Sequence, residues 1–227
     1  MVNYKDLGLV NTREMFKKAI EGKYAIAAFN FNNMEQMQAI IQATVETKSP
    51  VILQVSSGAR KYANQTLLRY MAQGAVEYAK ELGCAHPQIV LHLDHGDSAE
   101  LAAQCLDAGF DSVMIDGSER PLEENIALTQ RVVEMARPYG ANVEAELGYV
   151  AKLGQTQGGG FTTPGDAARF VDATGVDALA VAIGSAHGFY KQPPKLDIER
   201  LRAIHAATDV VLVLHGSSGI PHPMVQE

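Results

Sequence analysis

Seven short apolar segments recur along the chain, and each is followed by a longer, partly polar stretch. The apolar segments are continuous rather than alternating, which is typical of strands that are covered on both faces of a sheet. We predict strands at Tyr24–Phe31, Val51–Val55, Ile89–Leu93, Ser112–Asp116, Asn142–Leu147, Ala178–Ile183 and Val210–Leu214.

The stretches between these strands have the spacing of amphipathic helices. Met34–Lys48, for example, carries apolar residues at positions 34, 37, 40, 41 and 45, on one face of a helix. Further helices are predicted at Gln65–Leu82, Ser98–Ala108, Leu122–Arg137, Gly165–Thr174 and Asp197–Ala207. Because strands and helices alternate without a break in composition, we predict an α/β fold, a (β/α)8 TIM barrel, as a single catalytic domain over residues 1–227.

Seven strands are one fewer than such a barrel has. We therefore expect the eighth βα unit to be absent from this sequence, and the native protein to be longer at its C-terminus. Without that unit the first and seventh strands would face an open seam with unpaired edges. We also expect two mobile segments near the active site, Lys152–Thr163, which contains Gly158–Gly160, and the residues after Pro221.

Composition narrows the classes of function. The chain is 47% hydrophobic over 227 residues, enough for a large core, and its net charge of −7 with no basic run disfavours nucleic acid as a partner. Cys84 and Cys105 lie in unrelated segments, which favours reduced thiols and the cytoplasm. No apolar run approaches the ~20 residues of a transmembrane helix, and the N-terminus lacks the apolar region of a signal peptide, so we expect no membrane partner.

Three histidines, His95, His187 and His215, each lie at the C-terminal end of a predicted strand and directly precede a glycine. Barrel enzymes carry their chemistry at the C-terminal ends of the strands, where three imidazoles could bind one zinc ion and leave a coordination position open. A hydrogen-bonded histidine at the rim is the alternative for any one of them, but the shared placement favours a metal site. The remaining histidines are not predicted ligands, because His92 lies within a strand, His205 on a helix, and His86 and His222 in loops.

Carboxylates and Gly/Ser turns occupy the other strand ends. Asp94 precedes His95 and could either orient an imidazole or act as an acid or base near the metal. Asp116 and Glu146 could form ion pairs at the rim or add metal ligands. The turns at Gly184–Ser185 and at residues 216–219 offer backbone amides and hydroxyls that can bind a phosphate.

These residues lie in motifs that resemble, in order, those of class II fructose-bisphosphate aldolases. The opening AAFNFNNMEQMQAI also matches, so the resemblance covers essentially the whole chain. The motifs are HLDHGD at His92–Asp97, VMIDGS at Val113–Ser118, VEAELG at Val143–Gly148, GVDALAVAIGSAHG at Gly175–Gly188 and LHGSSGIP at Leu214–Pro221.

The resemblance implies a zinc-dependent carbon–carbon lyase, an aldehyde-lyase of glycolysis and gluconeogenesis. It would reversibly cleave D-fructose 1,6-bisphosphate to dihydroxyacetone phosphate and glyceraldehyde 3-phosphate, as a cytoplasmic homodimer or homotetramer. Zinc would act as a Lewis acid that stabilises the enediolate, so no lysine Schiff base is needed.

The resemblance also implies a role for each residue at the strand ends. A second divalent cation or a monovalent cation could accompany the zinc. His95, His187 and His215 would bind the catalytic zinc, and Asp116 and Glu146 would lie near an alternative metal position. Asp94 would exchange a proton at the C4 hydroxyl. Substrate would be contacted by Asn30 and Ser56, and its dihydroxyacetone phosphate end would be held by Gly188, Gly216 and Ser218.

Two departures from the family pattern keep alternatives open. The loop after the ELG motif usually supplies an acidic residue for proton exchange, whereas Lys152–Thr163 contains no Asp or Glu. The family pattern also continues for about one more βα unit, which carries residues for the second phosphate. Tagatose 1,6-bisphosphate, which differs only in configuration at C4, fits the same motifs, and a catalytically silent relative that binds metal or sugar phosphate is a further alternative.

Overall fold

The structure, a computed structural model, describes residues 2–148 and 160–226. The chain divides into two compact units, the first made of Met1–Ile115 and Arg131–Val143, the second of Asp116–Gln130 and Glu144–Glu227. In both units the strands are parallel and pair with their neighbours in sequence, with helices between them, as expected for an α/β fold.

The first unit contains strands β1 to β4, paired in chain order. Their register aligns Ala27 with Val51, Val51 with Ile89, and His92 with Ser112. The strands are β1 (Ala27–Asn30), β2 (Val51–Ser56), β3 (Ile89–Gly96) and β4 (Ser112–Ile115), and the helices are α1 (Thr12–Gly22), α2 (Met34–Thr47), α3 (Ser57–Ala63), α4 (Gln65–Glu81) and α5 (Ala99–Asp107). Two short 3-10 helices lie at Tyr4–Leu7 and Arg137–Tyr139.

The second unit contains the end of β5 and the strands β6 and β7, with Glu144 aligned to Ala178 and Ala178 to Val211. Helix α6 (Leu122–Ala136) and strand β5 (Asn142–Leu147) contribute residues to both units. The other elements are α7 (Pro164–Thr174), β6 (Ala178–Val181), α8 (Ile198–Ala207), β7 (Val211–Val213), a 3-10 turn at Ser217–Gly219 and α9 (His222–Gln226).

Local capping explains where most helices begin. The side chains of Asn33, Ser98 and Thr163 accept backbone N–H groups from the first turns of α2, α5 and α7, which otherwise lack partners. In the strands, apolar side chains such as Leu53 and Leu91 are fully buried. The predicted helices and strands are therefore present, with ends displaced by no more than a few residues.

Two expectations about the elements are wrong, and two helices were not predicted. Strand β1 is exposed at all four positions and β7 is half-buried at all three, so these strands are not covered on both faces. Each lies at one end of the strand order and pairs with a single described strand, so fewer side chains surround it. Helices α1 and α3 were not predicted, and His222, which was predicted to lie in a loop, begins α9. The expected mobility of the residues after Pro221 stays a prediction.

Within the expected mobile segment Lys152–Thr163, residues 152–159 lie outside the described residues. No helix in the described part of the chain is both long enough and apolar enough to cross a membrane.

Candidate active site

A β-bulge at the end of β3 places Asp94 and His95. The register with β4 shifts between Leu93 and Gly96, and His95 has a left-handed backbone with φ of 46°. The His95 backbone N–H donates to Met114 Sδ at 3.4 Å. At Gly96 a Cβ atom would lie 2.4 Å from the Met114 carbonyl oxygen, so only glycine fits beside β4. Because a bulge turns a side chain away from simple alternation, this deviation sets the directions of the Asp94 and His95 side chains.

Asp94 is held by Asn30, whose side chain is held in turn by Gln54. Asn30 Nδ2 donates to Asp94 Oδ2 at 2.7 Å, and Gln54 Nε2 donates to Asn30 Oδ1 at 3.2 Å. Asp94 is only 6% exposed, and its Oδ1 lies 3.8 Å from His95 Nε2. Gln54 was not predicted, although it lies in register with Asn30 on the next strand. The arrangement fixes one carboxylate oxygen of Asp94 and turns the other toward the imidazole.

Ser56, predicted to contact substrate, caps a helix. Its Oγ accepts the Ala59 backbone N–H at 3.2 Å and so begins α3, while Ser56 itself is in register with Asp94. The Ser56 hydroxyl remains able to donate a hydrogen bond, because a hydroxyl can donate while it accepts.

In the second unit, His187 and His215 lie side by side. Their ring centroids are 5.8 Å apart and the ring planes are inclined by 51°. They follow β6 and β7, two paired strands, so the proximity follows from the parallel register. Two imidazoles at this separation can bind the same metal ion.

Glu144, which the sequence analysis did not select, pairs with His215. Its carboxylate Oε1 lies 2.8 Å from His215 Nε2, and both residues are 7% exposed. When Nε2–H donates to the carboxylate, Nδ1 carries the lone pair that a metal requires. One signal was available in the sequence: Glu144 and Glu146 are two residues apart and share one face of β5, and a buried carboxylate needs a partner.

Asp116 and Glu146 lie near the ends of β4 and β5. Asp116 Oδ1 accepts the Ser118 backbone N–H at 3.1 Å and the Ser118 hydroxyl at 2.7 Å, which forms a tight turn. Glu146 is buried, and Asn125 Nδ2 donates to its backbone carbonyl at 2.9 Å. The Asp116 carboxylate is thus held by its own turn, whereas Asn125 holds the backbone of Glu146 rather than its carboxylate.

Two loops of the second unit carry the predicted phosphate contacts. Gly188 lies in residues 184–188, here named the β6 loop, and Gly216 and Ser218 lie in residues 216–219, the β7 loop. Gly216 has φ of 71°, and a Cβ there would lie 2.6 Å from the carbonyl group of Ala186. The backbones of the two loops therefore touch, and a side chain at position 216 would separate them.

Comparison with known sequences and structures shows the family of the chain. The family model described as fructose-bisphosphate aldolase class-II matches residues 10–227. The chain belongs to this family. As a class II fructose-bisphosphate aldolase it is an aldehyde-lyase, as the sequence analysis predicted, and the family is metal-dependent and acts on sugar bisphosphates.

Similar proteins include the fructose-bisphosphate aldolase of Treponema pallidum (strain Nichols), which is 52% identical over 100% of this chain and 74% of its own length. The fructose-bisphosphate aldolase of Geobacillus stearothermophilus is 44% identical over 97% of this chain and 77% of its own length. The crystal structure of the YdjI aldolase from Escherichia coli K12 superimposes with a TM-score of 0.83 and 37% identity, over 96% of this chain and 76% of that one. The predicted fold class, an α/β TIM-barrel type, is confirmed.

Proposed function

We propose that this class II aldolase is a zinc enzyme that cleaves D-fructose 1,6-bisphosphate to dihydroxyacetone phosphate and glyceraldehyde 3-phosphate. The observation that carries the proposal is the pair of imidazoles at the ends of neighbouring strands, His187 and His215, with Glu144 behind His215. A carboxylate behind a histidine is a common arrangement around zinc in proteins.

The donor atoms fit a divalent cation. His187 and His215 are two of the three histidines that the sequence analysis selects, and Asp116 and Glu146 are the two carboxylates that it selects beside them. A set of three neutral imidazoles is typical of catalytic zinc, whereas mixed carboxylate sets also accept other divalent ions. We assign the catalytic zinc to the three histidines, and an alternative position, or a second divalent or monovalent cation, to the carboxylate set.

When bound, the cation acts as a Lewis acid on the substrate carbonyl and stabilises the negative charge that develops as the C3–C4 bond breaks. Asp94 takes the proton of the C4 hydroxyl. Its Oδ2 already accepts from Asn30, whereas Oδ1 is buried and accepts no hydrogen bond from residues 2–148 or 160–226, so Oδ1 is the oxygen that receives this proton. As the proton leaves, the C4–O bond becomes the aldehyde carbonyl and the C3–C4 bond breaks. The electron pair of that bond passes to the dihydroxyacetone phosphate half, which takes up a proton at C3 to complete the second product.

The remaining predicted residues bind and orient the substrate in this proposal. Asn30 holds Asp94 and contacts a substrate hydroxyl, and Ser56 donates its hydroxyl hydrogen to the substrate while it caps α3. Gly188, Gly216 and Ser218 hold the phosphate of the dihydroxyacetone half through the β6 and β7 loops.

We further propose, from family membership, that residues 1–227 form one catalytic domain of a homodimer or homotetramer. The enzyme would act in glycolysis and gluconeogenesis in the cytoplasm, with neither nucleic acid nor membrane as a partner. The unpaired cysteines, Cys84 and Cys105, are consistent with a reducing compartment.

The test is a cleavage assay of the protein with and without zinc, on both epimeric bisphosphates. The purified protein is stripped with a chelator, and the aldehyde released from fructose and from tagatose 1,6-bisphosphate is measured before and after zinc is restored. We expect cleavage to require zinc and to favour the fructose epimer. Cleavage that persists after complete zinc removal would overturn the zinc assignment, and a preference for tagatose bisphosphate would overturn the substrate.

A further inference from the structure

Tyr190 connects the two loops that carry the proposed metal and phosphate contacts. Its hydroxyl accepts the Ala186 backbone N–H at 2.5 Å and donates to the Gly216 backbone carbonyl at 3.0 Å. One phenol oxygen thus joins the β6 loop to the β7 loop, and neither bond involves a side chain of the loops.

The ring of Tyr190 packs onto the β7 loop as well. A Cβ atom at Gly219 would lie 2.8 Å from Tyr190 Cδ2, so the ring lies directly against that glycine. The adjacent side chains behave differently, since Phe189 is 99% exposed and Lys191 is also exposed. Within residues 189–191, Tyr190 alone turns toward the loops, and the ring and the hydroxyl fix its position together.

Each hydrogen bond ends next to a proposed metal ligand. Ala186 directly precedes His187, and Gly216 directly follows His215. The loops also touch at Gly216 and Ala186 without help from Tyr190, so the hydroxyl determines how the contacting backbones are aligned rather than whether they meet. A small change in this alignment would shift both imidazoles and the backbone amides of Gly188 and Gly216.

We propose that Tyr190 is a positioning residue, whose hydroxyl holds His187 and His215 at the spacing that zinc requires and keeps the phosphate-binding amides aligned. This inference rests on the function proposed for the two loops. Active sites are sensitive to misplacement of about 1 Å, and residues that orient metal ligands affect metal affinity as well as turnover.

The test is the variant Tyr190→Phe, which removes the hydroxyl and keeps the ring against Gly219. We expect the zinc dissociation constant, measured by competition with a chromophoric chelator, to rise about three- to ten-fold, the range that loss of about one net hydrogen bond gives. The KM for fructose 1,6-bisphosphate should rise by a similar factor. The matched control is Tyr139→Phe, which removes a surface hydroxyl that donates to Asp107 Oδ1 at 2.7 Å.

The control should keep the zinc affinity and KM of the unmodified protein. If Tyr190→Phe lowers only the unfolding temperature, and its zinc affinity and KM equal those of Tyr139→Phe, the positioning role is wrong. The zinc competition measures binding without catalytic turnover. The positioning role of Tyr190 and the proposed cleavage activity can therefore fail separately. Weaker zinc binding in Tyr190→Phe, in a protein that does not cleave the bisphosphate, would support the positioning role and overturn the proposed function.

Discussion

Glu144 Oε1 and His215 Nε2 lie 2.8 Å apart, although the two residues are 71 positions apart in the chain. Both side chains are buried, so the carboxylate and the imidazole have little contact with water. In such a pair the carboxylate selects the tautomer of the ring and restricts its rotation. Glu144 therefore determines which nitrogen of His215 can face a metal ion.

Replacement of Glu144 should weaken metal binding more than it destabilises the fold. For Glu144→Ala we expect a zinc dissociation constant about 10–100-fold higher, because the ring of His215 loses its orienting partner. Glu144→Gln keeps an acceptor oxygen and should have a smaller effect. Chelator competition measures both, with Glu134→Gln on the exposed side of α6 as the control. An unchanged zinc affinity in Glu144→Ala would show that the pair is only structural.

Asp94 should be needed for turnover and not for metal binding. We expect Asp94→Ala to retain stoichiometric zinc and to lose about 10²–10⁴-fold in kcat, the usual contribution of a general acid or base. Asn30→Ala, which removes the hydrogen bond to Asp94 Oδ2, should lose less, because the carboxylate itself remains. Steady-state kinetics with metal analysis separates these outcomes. Activity of Asp94→Ala within a few-fold of the unmodified enzyme would contradict the proton-transfer role.

Glycine at position 96 should be required by the bulge in β3. We expect Gly96→Ala to lower the free energy of unfolding by about 1–3 kcal/mol, since the added methyl would meet the Met114 carbonyl oxygen. Gly74→Ala in α4 is the opposite case, because nothing lies within 4 Å of the added atom. That helix-interior change should stabilise the protein by about 0.5–1 kcal/mol. Urea denaturation of both variants measures the two changes in the free energy of unfolding. Equal changes in the two variants would contradict the requirement for glycine at position 96.

The two cysteines should differ sharply in reactivity. Burial raises the pKa of the Cys105 thiol to about 12, with Arg60 nearby offsetting only part of that effect. Cys105 therefore stays protonated at neutral pH and should react with a thiol reagent only after unfolding. Cys84 is half-exposed and should react in the folded protein. We expect one thiol per folded chain to react rapidly with the reagent, and Cys84→Ser should abolish that rapid reaction. A rapid reaction that remains in Cys84→Ser would contradict the burial of Cys105.

Asp111 should make the protein less stable as the pH rises. Full burial raises the pKa of this carboxyl well above its ordinary value, despite the hydrogen bond that Oδ1 accepts from the Leu91 backbone N–H at 2.8 Å. The stabilising contribution is complete below the unfolded pKa of about 3.9 and is lost as the pH rises toward the folded pKa. Asp111→Asn keeps the acceptor without an ionisable group.

The free energy of unfolding of Asp111→Asn should therefore rise, relative to that of the unmodified protein, by roughly 1.4 kcal/mol for each pH unit across that interval. Urea denaturation between about pH 5 and pH 8 measures the difference, within the range where domains are usually most stable. Asp209→Asn, at an exposed position, should show no such trend. Parallel stability curves for Asp111→Asn and the unmodified protein would contradict the raised pKa.

The sequence by itself determined the order and type of the main elements. Strand β5 was predicted with the bounds that the structure shows, Asn142–Leu147, and α2 was predicted to within one residue. Periodicity and caps are local properties, so they can be recognised without knowledge of the packing. The same holds for the strand-end histidines, because the position of a residue relative to its own strand is also local.

Only the tertiary structure decided how the candidate site is held together. The left-handed backbone of His95 depends on the register of β3 against β4, and the bond from Asn30 to Asp94 joins residues 64 positions apart. Glu144 was overlooked because a glutamate inside an apolar strand has no visible partner until β7 brings His215 beside it. Such contacts depend on the relative register of whole strands and on bulges, and no local pattern of residues encodes these distances.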